Sequence, residues 1–349
     1  MEKYILNETP VRTANNFGIN NVELTIDIPK IHKEFENFSI ETEDIDKIKF
    51  EMESSLNKIQ SENRIGLERN VNKLIKIIIP ENVKIPEKIK MEFELDDENE
   101  ILVENIEIII EKNAYANFQI VYTSSNKANA FHSGELNINL KENAQAKVTV
   151  ANLVKNTNNF YEMKNFLEKN SVLDYTIAEI GGNNKISNYF AKLNGENSEN
   201  LLNVIYLGKE KEVIDINYNI ETYGEKAKAY INVQGAINDY AKKNFKGTID
   251  FKEGSKKAVG KENENCMILS PNAKSKSLPM LLCHEEDVEG EHGVSSGKID
   301  ESKLFYIMTK GISYENARKL IIKANFNDIV RKINDESLEN LIDEEINKI

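Results

Sequence analysis

The chain has 349 residues, 40% hydrophobic and 30% charged, which supplies one large core or two and excludes a compositionally disordered chain. Lys and Arg number 45 against 58 Asp and Glu, a net charge of −13 that repels phosphate backbones and excludes nucleic acid as the expected partner. Two cysteines cannot build a disulfide framework, Met1 to Asn7 holds no signal-peptide run, and no apolar stretch approaches the ~18 residues of a membrane span. A cytoplasmic protein with no membrane partner is expected.

The region 1–74 is polar and broken, and reads as mainly helical or irregular. Ile45, Ile48, Met52, Leu56, Ile59 and Leu67 recur mostly at three or four residues, which predicts an amphipathic helix or two over 44–75. From Leu74 the texture changes to period two, as in Ile89, Met91, Phe93, Leu95 and in Ile214, Ile216, Tyr218, Ile220. That is the pattern of half-buried strands, and it predicts a β core over 75–298.

Within this zone a unit repeats. It starts at Asn113, Asn143, Asn170, Asn197, Glu225 and Gly254, at spacings of 30, 27, 27, 28 and 29 residues. Five residues into each copy stands an apolar side chain: Phe118, Val148, Tyr175, Leu202, Tyr230, Val259. Seven residues in, the first four copies give Ile120, Val150, Ile177 and Val204, and the last two break with Asn232 and Lys261. A fixed period of this size, with Asn and Gly at sharp corners, predicts stacked turns of strand, a β-helix or solenoid, over the alternative of a β-sandwich.

The region 299–349 returns to helical spacing. Asp300 is placed to cap a helix from Glu301 to Lys310, Gly311 to end it, and Ser313 to cap the next, which carries Ala317, Leu320, Ile321 and Ala324 on one face.

Two of the four histidines, His284 and His292, lie in one acidic stretch with Cys283, Glu285, Glu286, Asp287, Glu289 and Glu291. Thiolate, imidazole and carboxylate together can bind zinc or iron, while the plain alternative is a solvated acidic loop. Val288 stands where a zincin helix needs its second His. Gly293, Gly297 and Lys298 fall one residue short of a phosphate loop, and Ile299 replaces its hydroxyl residue, so the chain is not expected to hydrolyse ATP. Cys266 lies in an apolar strand, where a buried inert thiol is expected. His32 and His132 have no partner visible in the sequence, and no nucleophile–base arrangement can be assembled from spacing.

The stretch from Asp287 to Ile312 fits D-V-x-x-x-H-G-x-x-x-G-x-[LI]-D-x-x-x-L-F-Y-x-x-x-[RK]-G-[IL] at every fixed position, and Phe245-Lys246-Gly247-Thr248-Ile249 fits F-x-G-x-[IV]. With these motifs the chain closely resembles the SufB/SufD family, the scaffold subunits of the SUF iron–sulfur cluster assembly machinery, over about residues 75–330. The resemblance implies a right-handed parallel β-helix flanked by N- and C-terminal helical segments. It implies docking of a SufC-like ATPase on the C-terminal helical part, through Leu304, Phe305, Tyr306, Lys310 and Gly311, with Phe305 or Tyr306 alternatively packing into the core. It also implies pairing with a SufB-like paralogue or a second copy of the chain, and a transient iron–sulfur cluster at the subunit interface near His292. No other cofactor is expected. The short length and the His292-Gly293 pair look like SufD. Gly290, however, stands where SufD often has a Cys, and Glu264 lies near the position of a cluster-related Cys of SufB. The alternatives are a SufB-like or homo-oligomeric scaffold using Cys266 or Cys283, and, more remotely, a solenoid carbohydrate-active enzyme.

Overall fold

The computed structural model describes residues 1–13, 15–53, 64–67, 70–125 and 130–349. The chain winds into a parallel β-solenoid of eight coils, each contributing one strand to either of two facing sheets. The first coil is Lys73–Ile79 with Lys84–Leu95, the sixth Val213–Thr222 with Lys228–Ile237. The seventh is Lys242–Phe251 with Ala258–Ile268, and the eighth Lys274–Cys283 with Val288–Lys298. Alternate side chains of both sheets point inward and share one core from Ile75 to Cys266.

The asparagine corners hold the stack in register. Asn82, Asn113, Asn143, Asn170 and Asn197 all take left-handed backbone conformations, with φ between 55° and 63°. Asn pays less for this region than most side chains. Each side-chain amide then donates to the one in the coil before it: Asn113 to Asn82 at 2.9 Å, Asn143 to Asn113 at 3.0 Å, Asn170 to Asn143 at 2.9 Å, Asn197 to Asn170 at 3.1 Å.

This ladder corrects the register read from the last two repeats. The corner that matches the asparagines is Lys226 in the sixth coil, not Glu225, and Lys257 in the seventh, where Gly254 is a second positive-φ position earlier in the connection. The connections lengthen from 141–144 in an early coil to 223–227 and 252–257, which shifts the start. The aligned column is therefore Phe118, Val148, Tyr175, Leu202, Ile231, Glu262, and its neighbour is Ile120, Val150, Ile177, Val204, Val233, Glu264. Tyr230 and Val259 belong to the other parity.

The two ends differ. At the start, Phe38–Glu41 and Lys49–Glu53 pair antiparallel with the first coil and close it. These residues correct the predicted helix over 44–75: Ile45–Lys47 is a single 3-10 turn and the strand follows. Ile48 and Phe50 pack on the core, a period-two signal that the wider spacing masked. Leu56 and Ile59 lie outside the described residues. At the far end no described strand pairs beyond Lys274–Cys283 or Val288–Lys298.

Both outer faces carry added elements. A hairpin of Glu2–Leu6 and Val22–Ile26 sets Leu6, Val22 and Leu24 against Val103, Phe131 and Phe160. On the other sheet lie three helices, α1 (Glu301–Met308), α2 (Tyr314–Ile333) and α3 (Glu336–Ile346). Asp300 caps α1 and Ser313 caps α2, as predicted, but α2 buries Ala317, Ile322, Phe326, Ile329 and Ile333, leaving Leu320 exposed. Three small residues, Ala151, Ala178 and Ala236, form part of the sheet surface on which this stripe seats.

Candidate functional site

Two features gather the residues of the C-terminal motif, the open end of the solenoid and the exposed side of α1. At the open end the inward column continues from Glu262 to His292, from Glu264 to Val294 and from Cys266 to Ser296. In the lower coils these positions are sealed by the coil above. Here nothing described lies above, so His292, Val294 and Ser296 are all exposed. On the facing sheet Cys283 stands above Phe251, exposed, at the rim.

Beneath this rim is a buried polar cluster. Glu264 accepts from the Tyr206 hydroxyl at 2.8 Å and from Ser277 Oγ at 2.6 Å, and pairs with the Lys243 ammonium, which also donates to the Lys276 carbonyl at 3.3 Å. Cys266 sits beside this network with its side chain fully buried. Burial pushes its thiol pKa up, against the opposing pull of Lys243 and the Tyr206 hydroxyl, so it is a poor ligand as it stands. Glu262 is 2% exposed, and neither of its carboxylate oxygens has a hydrogen-bond partner. Burial, and secondly Glu264, raises its pKa to about 8. Across the interior, a Cβ at Gly247 would lie 2.0 Å from Glu262 Oε1, so the carboxyl occupies the space that a side chain at 247 would take.

The predicted ligating set does not assemble. Cys283 and His292 stand on different strands of the open coil, Cys266 is sealed below, and His284 turns its Nε2 to Asp250 Oδ1 at 3.5 Å. Among the described residues no three ligating side chains converge on a metal position. His132 is fully buried far down the stack, between Asn159 Oδ1 at 2.6 Å and the Glu104 carboxylate at 3.1 Å, a satisfied core histidine. The sequence reading noted Glu264 only for its nearness to the position of a cluster-related Cys of SufB, and missed Glu262, Lys243 and Tyr206. The signal lay in the repeat itself, once its last copies start at Lys226 and Lys257.

The second feature is α1. Leu304 is 2% exposed and packs inward, whereas Phe305 is 69% and Tyr306 63% exposed. Of the predicted docking residues Leu304 is therefore structural, and neither aromatic fills the core. Lys310 lays its ammonium 5.1 Å from the Tyr306 ring, and Gly311 turns the chain at φ +85°. Between α1, α2 and the seventh and eighth coils opens a cleft of about 1050 Å³, lined by Met267, Ile299, Tyr306, Ile307, Leu320 and Ile321 among others. Among the described residues no helix is long and apolar enough to cross a membrane.

Comparison with known proteins gives the family. The family profile described as SUF system FeS cluster assembly, SufBD core domain, matches residues 93–325, which include the second to eighth coils, the open end, α1 and the first part of α2. The chain is similar to the iron–sulfur cluster assembly protein SufD of Bacillus subtilis, 22% identical over 74% of this chain and 60% of that protein. It is also similar to SufD of Escherichia coli, 27% identical over 46% of this chain and 38% of that one, and to SufB of Bacillus subtilis, 23% identical over 70% and 53%. The chain thus spans 60% or less of the length of these curated relatives.

Proposed function

Starting from a chain that belongs to the SufBD family of the SUF iron–sulfur cluster assembly system, we propose that it is a SufD-like scaffold subunit with no ATPase site of its own. One observation carries this reading: the solenoid is closed at one end by antiparallel strands and left open at the other, within the span of the family motif. An open pair of sheet edges presents unpaired backbone N–H and C=O groups, which a partner's strands can extend. The partner is a SufB-like paralogue or a second copy. His292 faces the junction, where the nascent cluster, the cargo of the system, would be held between the chains; Cys283 at the rim is the thiol nearest to use.

The exposed aromatics of α1 supply the second contact. Tyr306 and Leu320 at the cleft and Phe305, exposed beside Tyr306 on α1, form an apolar surface with Lys310 at its border, suited to a SufC-like ATPase. The test is co-purification of the tagged chain from its native source, with partners identified by mass spectrometry and iron measured anaerobically. A SufB-like chain and a SufC-like ATPase are expected, and Phe305→Asp/Tyr306→Asp should release the ATPase alone. A lone monomer free of iron would sink the reading.

A further inference from the structure

The sixth and seventh coils differ in one respect that packing does not require. In five successive coils the column Phe118, Val148, Tyr175, Leu202, Ile231 is apolar, and the next member is Glu262. A buried carboxyl without a partner is costly, and native interiors tolerate few of them. Glu264, two residues on, is fully matched by Tyr206, Lys243 and Ser277. The two buried ammonium groups of the same coil are committed, Lys243 to Glu264 and Lys246 to Asp215 and the Asn7 carbonyl. Among the described residues nothing answers Glu262, although the fold makes space for it by placing Gly247 opposite.

From this we infer that Glu262 is the inner ligand of a divalent transition-metal cation that enters through the open end of the solenoid, with His292 as its outer ligand. His292 is the register neighbour of Glu262 on the last strand, about 4.8 Å away between backbones, and shares its face of the sheet. One carboxylate and one imidazole form a donor pair suited to Fe²⁺, Mn²⁺, Co²⁺ or Zn²⁺, not to the all-oxygen preference of Ca²⁺. Two ligands make a half-site, in keeping with the lack of any three-ligand cluster among the described residues. Water completes it in the free chain, and a partner's edge strand can do so in a complex. The inference deepens the reading of the open end as the face where a cluster forms: it assigns a seat for a single metal ion there.

The probe is Mn²⁺ added to the full chain, followed by paramagnetic broadening of the imidazole NMR signals, which the four histidines keep few enough to resolve. His292 should broaden first. Glu262→Gln should move the midpoint to about tenfold or more higher Mn²⁺, while Glu289→Gln, a surface carboxyl on the same strand as His292, should not. Should Glu262→Gln fold poorly, Glu262→Leu restores the apolar column and should show the same loss. An unchanged midpoint in a folded Glu262 variant, or broadening centred on His284, overturns the inference. The titration needs no partner chain, so absence of partners in the co-purification would count against the scaffold reading alone.

Discussion

The ammonium of Lys243 lies against the carboxylate of Glu264, and neither side chain reaches solvent. Two charges removed from water together are tolerable, but one alone is not. Lys243→Met should therefore lose about 3–5 kcal/mol of stability, because it strands Glu264. Lys243→Met/Glu264→Leu should recover most of that loss. Urea denaturation midpoints of the two variants and the parent check both statements; equal destabilisation of single and double variants would refute them.

Glu262 gives stability a pH dependence of unusual sign for a carboxyl. Burial first, and Glu264 second, lift its pKa from 4.5 to about 8. Between these values the folded chain keeps a proton that the unfolded chain has released. Stability from this group is then present at low pH and falls as pH rises through the window, by no more than about 5 kcal/mol. Glu262→Leu should flatten the fall and leave the chain more stable than the parent at pH 8.5. Denaturation at pH 5 and pH 8.5 measures it; a parent chain more stable at pH 8.5 with Glu262 intact and no such difference from Glu262→Leu would contradict the assignment.

The solenoid was legible because its corners need a particular chemistry. Asn113, Asn143, Asn170 and Asn197 advertise the left-handed turn in their side chains, and the strands between them alternate plainly. Lys226 and Lys257 take the same conformation with no such signature, so the last two copies slip out of register and the inward positions of Glu262 and Glu264 go unread. The hairpin at the N-terminus was missed although Val22, Leu24 and Ile26 alternate, since three apolar residues in so short a run compete poorly with noise. On α1 the sequence placed Leu304, Phe305 and Tyr306 together. Only the packing of the helix on the sheet could tell which one turns inward.

Those silent corners make a stability prediction. A lysine in the left-handed region is strained by about 1–2 kcal/mol, and at Lys226 it also ends the amide ladder. Lys226→Asn should stabilise the chain by about 1 kcal/mol, relieving the backbone and offering Asn197 a further amide partner. The exposed pair it removes, Lys226 with Glu196 at 3.2 Å, contributes little. Thermal melting should show the rise, and Lys226→Ala, with no amide and no tolerance for the turn, should show none.

Asp335 ties α3 to the first coil. It caps the helix by accepting from the Leu338 N–H at 3.0 Å, and it meets the ammonium groups of Lys88 at 3.2 Å and Lys90 at 3.0 Å. Burial would raise its carboxyl, but the Leu338 N–H and the two lysines outweigh that and hold it far below the usual carboxylate range. The stabilisation is thus complete above the ordinary carboxylate pKa and drains away as pH falls below it. Asp335→Asn keeps a capping oxygen and loses the charge, so it should destabilise the chain most at neutral pH and less at pH 2, where part of the stabilisation has drained away. Amide hydrogen exchange in α3 at the two pH values reads this directly.

The split within α1 separates folding from docking. Leu304 is buried, so Leu304→Ala should cost about 2–4 kcal/mol through the cavity it leaves. Phe305 and Tyr306 project from the same turn into solvent, and Phe305→Ala or Tyr306→Ala should stay within about 0.5 kcal/mol of the parent. If the α1 surface grips an ATPase, binding should respond in the opposite order: Tyr306→Ala should abolish most of the affinity of a folded chain, while Leu304→Ala should weaken it only as far as it unfolds the helix. Denaturation and pull-down run side by side on the three variants decide it. Loss of partner in strict proportion to loss of stability would assign the whole motif to packing and leave the cleft without a role.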